Sequence, residues 1–113
     1  MSITIRPWGT FETIIENDNY KVKRIVVNPK SQLSLQSHNH RSEHWVVVKG
    51  VGIATLNNKQ IELKKGDNIF INVKDKHRMT NKTDEELIFI EVQNGDYLGE
   101  DDIVRYQDDY GRK

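Results

Sequence analysis

Apolar residues along the chain recur at every second position over short runs, rather than every third or fourth, and this spacing predicts strands and not helices. The runs lie at TFETII (10–15), YKVKRIVV (20–27), SQLSLQ (31–36), HWVVVKG (44–50), GIATLN (52–57), KQIELK (59–64), DNIFIN (67–72), HRMTN (77–81) and ELIFIEVQ (86–93). Nine runs with turn residues between them suit an all-β, antiparallel barrel. Asn57-Asn58 separates two alternating runs, and because Asn accepts positive φ at little cost a tight hairpin is expected there. Gly66-Asp67 and Asn94-Gly95 mark further turns. The tail YLGEDDIVRYQDDYGRK is charged, and its periodicity leaves open whether it holds a short helix or a final strand.

One run carries more than packing information. In QLSLQSHNH, strict alternation puts Leu33 and Leu35 on one face and Ser34, Gln36, His38 and His40 on the other. Polar groups turned into a small barrel are costly unless something bonds them, and a metal ion would do so. The stretch QSHNHRSEHW (36–45) holds three of the chain's four histidines together with Glu43, and His77 follows on a later run. Imidazole with carboxylate suits zinc, iron, nickel or manganese, whereas an all-oxygen set would indicate calcium or magnesium.

Composition narrows the classes. At 113 residues the chain, 1–113, is expected to be one domain. Seventeen basic and seventeen acidic side chains cancel, so no global field attracts nucleic acid or anionic lipid, and no DNA-reading helix is apparent. There is no cysteine, which excludes disulfide and thiolate chemistry. The apolar runs reach only four residues, as in WVVV, and MSITIRPWG lacks the hydrophobic segment of a signal peptide. A soluble, cytoplasmic protein without membrane or nucleic-acid partners is expected. With 35% apolar and 30% charged residues the core should be thin, and a homodimer that covers exposed edges is expected.

The spacing of the ligand-type residues resembles the cupin superfamily. Gln36-x-His38, four residues, Glu43, six residues and Gly50 match its first motif with Gln in the first His slot, and Lys30 stands where that motif has Gly. Gly66, five residues, Asn72-Val73-Lys74, two residues, His77, three residues and Asn81 match the second, with Asn72 and Lys74 in place of Pro and Gly. A register using His38-x-His40 leaves only two residues before Glu43 and does not fit. A Gln, His, Glu, His set is similar to that of zinc-dependent phosphomannose isomerases. Nearly the whole chain resembles the cupin domain of type II mannose-6-phosphate isomerases, through RPWG (6–9), YKVKRIVV (20–27), LSLQSHNHRSEHWVVVKG (33–50), HRMTN (77–81) and IEVQNGDYLGEDDIVRYQDDYGR (90–112).

That resemblance implies a cupin jelly-roll barrel holding one divalent transition metal on Gln36, His38, Glu43 and His77, most readily zinc, with manganese, iron, nickel or cobalt as alternatives. It implies a small-molecule sugar phosphate as partner and interconversion of mannose 6-phosphate with fructose 6-phosphate. Such chemistry needs a base, a stabiliser for the enediolate and a grip on the phosphate. Arg41, two residues before Glu43, is expected beside the metal. For the base, His40 is preferred, with His44 and Glu91 as alternatives. Arg105, Lys23 and Arg78 are the substrate-binding candidates, with Arg24 behind them. Trp8, Gly9 and Trp45 are expected to pack the barrel mouth, and the acids of GEDD (99–102) read equally well as a solvated turn. Domains of this type usually lie behind a guanylyltransferase portion, but these residues contain no Gly-rich phosphate-cradling loop, so guanylyl transfer is not expected. The alternatives are a non-catalytic sugar-phosphate or nucleotide-sugar binding module that partners a separate guanylyltransferase, a metal-free epimerase with a His base, and an iron oxygenase, disfavoured by Gln36.

Overall fold

The computed structural model describes residues 2–111; Met1 and the last residue of the 90–112 string, Arg112, lie outside them. The described residues form twelve strands and no helix: β1 (Ile3–Arg6), β2 (Gly9–Glu16), β3 (Tyr20–Val27), β4 (Ser31–Gln32), β5 (Leu35–Ser37), β6 (Arg41–Lys49), β7 (Gly52–Leu56), β8 (Lys59–Leu63), β9 (Asn68–Ile71), β10 (His77–Asn81), β11 (Leu87–Gly95) and β12 (Val104–Gln107). One sheet runs β1-β2-β3-β11-β6-β9 and the other β12-β5-β10-β7-β8, with β4 also paired to β10. Neighbouring strands are antiparallel throughout.

Twelve strands replace the expected nine, for identifiable reasons. The run at 3–6 is too short and too exposed to show a pattern, yet it pairs with β2 as an edge strand. The tail forms β12 rather than a helix. SQLSLQ breaks into β4 and β5 because Gln32 and Gln36 stand four positions apart while their partners Thr80 and His77 stand three apart. The surplus residue makes a bulge, and the Leu33 amide donates to the Met79 carbonyl across it at 3.1 Å. Downstream of the bulge Gln36 and His38 both reach the cavity, and alternation ends before His40. β5 stops at Ser37, Ser37 and His38 are both buried, and His40 emerges into solvent.

Inward-facing residues of β3, β11 and β6 form cross-strand rows. Lys21, Gln93 and Glu43 make one, Lys23, Glu91 and Trp45 the next, and Ile25, Phe89 and Val47 the third. Below them the interior is apolar, closed by Val27, Leu87, Met79, Ile69 and Ile71. A single sandwich thus has a hydrophobic floor at one end and charged walls at the other, and burial of that floor at ~25 cal/mol per Å² supplies the driving force that holds polar rows in place.

The substitutions at motif glycines leave a mark on the backbone. Lys30 has φ 55° and Lys74 φ 71°, the left-handed region that Gly would occupy without strain. Asn57 has φ 55° in the two-residue β7–β8 hairpin. Gly9 sits against β3 so closely that a Cβ there would lie 1.9 Å from the Val26 carbonyl oxygen.

Candidate functional site

β6 delivers Arg41, Glu43 and Trp45 to the interior on alternate positions, while His44 on its opposite face bonds Asn68 at 2.9 Å. β10 brings His77 in from the other sheet, and the turn after β5 places His38 between them. Ligand-type atoms of His38, Glu43 and His77 all lie within 4.8 Å of one another. His38 Nε2 is 3.2 Å from Glu43 Oε2, and His77 Nε2 is 3.7 Å from Glu43 Oε1. The Nδ1 atoms are tied to backbone carbonyls, His38 to Asp102 at 2.6 Å and His77 to Asp75 at 2.9 Å. With Nδ1–H donating outward, each ring presents its Nε2 lone pair to the cluster, the orientation that metal-binding imidazoles require.

The donor set fits a divalent transition metal. Two imidazoles and a carboxylate converge in a buried site, and bonds of about 2.0–2.2 Å to one ion would bridge separations of roughly this size. Gln36, the register partner of His77, lines the same cavity. Its amide NH₂ is committed to Ser34, at 3.2 Å to Oγ, and its carbonyl oxygen is the end able to ligate. Arg41 is interleaved with this set: Nε donates to Glu43 Oε2 at 2.9 Å, and Nη2 lies 3.2 Å from His38 Nε2.

Two buried acids here have opposite character. Burial pushes the Glu43 carboxyl up, but the close approach of His38, His77 and Arg41 outweighs it and holds Glu43 well below the usual carboxylate range. Glu91 is pushed up to about 8, by burial first and by the negative charge of Glu43 second. Trp45 Nε1 donates to both, and Gln93 Nε2 donates to Glu91 Oε2 at 2.7 Å. Burial lowers the His77 pKa more than Glu43 raises it, so this ring is neutral near neutrality and its lone pair is available.

The cavity above the cluster has a volume of about 140 Å³ and opens to solvent at its mouth. Lys23, Arg78 and Arg105 line it, as do Arg6, Trp8 and Glu91. Lys23 Nζ is held by Glu100 at 2.8 Å. Arg78 donates to the Leu33 carbonyl at 3.0 Å and to Gln107 at 3.2 Å. Trp8 and Trp45 belong to the core as well as to the cavity wall.

His40, expected on the ligand face, is outside this cavity. Its side chain is about half exposed, 3.6 Å from Asp96 and against the edge of Tyr97, because the chain has left β5 by Ser37. Conversely, the GEDD acids do more than solvate a turn. Asp102 accepts from the amides of Asn39 and His40, both at 2.9 Å, while its carbonyl takes His38 Nδ1. Glu100 reaches Lys23 and lies 3.9 Å from Arg41. Local sequence gave no signal for these contacts, the Lys23–Glu100 pair spanning 77 positions and the His38–Asp102 pair 64.

Comparison with known proteins agrees with this fold. The family profile described as mannose-6-phosphate isomerase C-terminal matches residues 2–108. The xanthan biosynthesis protein XanB of Xanthomonas campestris pv. campestris (strain B100) is 46% identical over 107 residues, covering 95% of this chain and 23% of that protein. A mannose-1-phosphate guanylyltransferase of Klebsiella pneumoniae is 42% identical, with 95% and 23% covered. The chain therefore spans less than a quarter of the length of these relatives. Among solved structures, an RmlC-like cupin of Shewanella frigidimarina NCIMB 400 superposes with TM-score 0.79 at 20% identity, over 88% of this chain and 86% of that one. No helix among the described residues is long and apolar enough to cross a membrane. With an all-β cupin fold and a profile match over almost its whole length, the chain belongs to the mannose-6-phosphate isomerase C-terminal family.

Proposed function

We propose that this chain interconverts mannose 6-phosphate and fructose 6-phosphate through an enediolate, feeding nucleotide-sugar synthesis for polysaccharide. The observation that carries the reading is the convergence of His38, Glu43 and His77, buried and with Nε2 lone pairs turned inward, beneath a cation-lined cavity. In this reading those three residues and Gln36 hold one divalent ion, zinc being the first expectation and manganese, iron, nickel and cobalt the others. When bound, such an ion supplies Lewis-acid polarisation of the sugar carbonyl.

The reaction moves a proton from C2 of the open-chain aldose to C1 and passes the O2 hydroxyl proton to O1. Arg41 supplies permanent positive charge and N–H donors to the oxyanion that develops on the substrate. Glu91 lines the cavity and keeps a proton near neutrality; we assign it the proton store at the wall. The buried aromatic pair Trp8 and Trp45 limits water at the inner end. The same reading makes residues 1–113 one domain, working in the cytoplasm as a homodimer. Ile3 and Ile5, 61% and 78% exposed on the edge strand β1, support a covered edge.

The test is a coupled isomerase assay on the purified, metal-loaded chain. Turnover of mannose 6-phosphate that vanishes in His38→Ala supports the reading, and undiminished turnover in His38→Ala overturns it. A second reading, a sugar-phosphate binding module that partners a separate guanylyltransferase, is favoured by one observation: the relatives named as guanylyltransferases are more than four times longer than the matched segment. Saturable sugar-phosphate binding without turnover would select it.

A further inference from the structure

The cations of the cavity are not equivalent, and their existing partners sort them. Five basic side chains line it: Arg6, Lys23, Arg41, Arg78 and Arg105. Lys23 is neutralised by Glu100 at 2.8 Å, and Arg41 by Glu43 at 2.9 Å. Arg78 spends its donors on the Leu33 carbonyl and Gln107 and lies in the field of Asp108 and Asp109. Among the described residues Arg6 donates only to the Ile5 carbonyl, at 3.1 Å, and otherwise rests over the Phe11 ring, 5.2 Å from its centroid. Arg105 has a buried Nε with no hydrogen-bond partner among the described residues. Among those residues, neither Arg6 nor Arg105 has a carboxylate within ion-pair distance.

We infer that Arg105, assisted by Arg6, is the seat of the substrate's phosphate group, and that Lys23 serves to hold the 96–103 loop through Glu100. The inference rests on the sugar-phosphate reading above and divides the cavity's cations into two classes. A buried guanidinium donor left unpaired is costly, and an anion bound beside it would relieve that cost. A phosphate oxygen beside Arg105 supplies the acceptor, and the planar fork of donors suits it. Arg6 and Arg105 come from the edge strands β1 and β12 of opposite sheets, so an anion between them is approached from two sides. Lys23 is only 5% exposed, and its ammonium, already in contact with a carboxylate, would have to surrender that partner to bind a second anion.

Inorganic phosphate is the probe, titrated calorimetrically into the metal-free full-length chain. Arg105→Gln and Arg6→Gln are each expected to weaken phosphate binding by roughly ten-fold or more, the cost of a lost charge-assisted pair. Arg105→Lys should retain part of the affinity. Lys23→Gln should bind phosphate within about three-fold of the parent, less than the ten-fold step of one lost pair. Where Lys23→Gln melts too early to titrate, Glu100→Gln releases Lys23 without deleting it, and the Arg105 dependence should persist in that background. In turnover, Arg105→Gln should raise KM for mannose 6-phosphate far more than it lowers kcat. Phosphate affinity lost in Lys23→Gln and kept in Arg105→Gln overturns the inference, as does a parent chain that shows no saturable phosphate binding. A chain that binds phosphate in the expected Arg105-dependent way yet fails to isomerise the sugar would sink the isomerase reading alone.

Discussion

Glu43 and Glu91 share a single donor: the Trp45 indole nitrogen lies 2.9 Å from one carboxyl and 3.2 Å from the other. Both acids are buried, and two negative charges so placed would repel strongly, so one of them keeps its proton. The close approach of His38, His77 and Arg41 to Glu43 settles which, leaving Glu43 ionised and Glu91 raised to about 8.

A pH dependence of stability follows for the metal-free protein. Between about 4.5 and about 8 the folded chain keeps the Glu91 proton while the unfolded chain gives it up, so the folded state binds more protons and this group makes stability fall as pH rises. The slope is at most about 1.4 kcal/mol per pH unit. Glu43 and His77 act in the opposite direction: their lowered values add stability that is lost as pH falls through the His77 range and then towards that of Glu43. Glu91→Gln should remove the falling limb, so that urea midpoints measured from pH 5 to 8 gain most over the parent at pH 8. A parent and variant whose midpoints run parallel across that range would contradict the assignment.

Arg41 and His40 are neighbours in sequence with opposite fates in the structure. Arg41, buried against His38 and Glu43, should lose about 100-fold or more in turnover as Arg41→Ala, on the scale of one preorganised oxyanion donor. His40→Ala should stay within a few-fold of the parent, since that ring faces Asp96 and Tyr97 outside the cavity. Steady-state kinetics of the two variants side by side decides it. Equal losses would return His40 to the chemistry.

Asp102 controls a proposed ligand without belonging to the ligand set. Its carboxylate holds the amides of Asn39 and His40, which keeps the turn carrying His38 against the Asp102 carbonyl. Asp102→Ala is expected to weaken metal binding by about 10- to 100-fold, the usual cost of losing an outer support of a metal site. Competition with a chromophoric chelator measures it.

Lys74 should be improvable. It holds a positive φ at the turn before His77, and its amide donates to the His38 carbonyl at 2.8 Å. Lys74→Gly keeps that bond and removes the left-handed strain, at some cost in unfolded-chain entropy, for a net gain of about 0.5–1 kcal/mol. Thermal or urea denaturation reads the sign, and a destabilised variant would show that the lysine side chain contributes more than its backbone strain costs.

The parts of this fold that follow local patterning were readable. β3 and β10 fall on the predicted runs residue for residue, and the Asn57-Asn58 hairpin forms where two alternating runs meet. Spacing also singled out His38, Glu43 and His77, whose proximity is now a geometric fact and whose ligand role is the proposal above. What escaped depends on pairing between distant segments. The bulge between Gln32 and Gln36 exists only because β10 supplies one residue fewer, and His40 turns outward because β5 ends at Ser37. The contact of Lys23 with Glu100, 77 positions on, is equally invisible in the run that carries Lys23. Alternation reports which face a residue shares with its near neighbours, and it is blind to what arrives from the far end of the chain.

The clasp between Asp102 and the His38 turn gives the C-terminal segment a role out of proportion to its length. A protein trimmed ahead of that aspartate would retain the strands that build the hydrophobic floor, and would fold around a histidine free to rotate. The segment from Asp102 through β12 is in this sense both an edge of the second sheet and the fastening of the histidine.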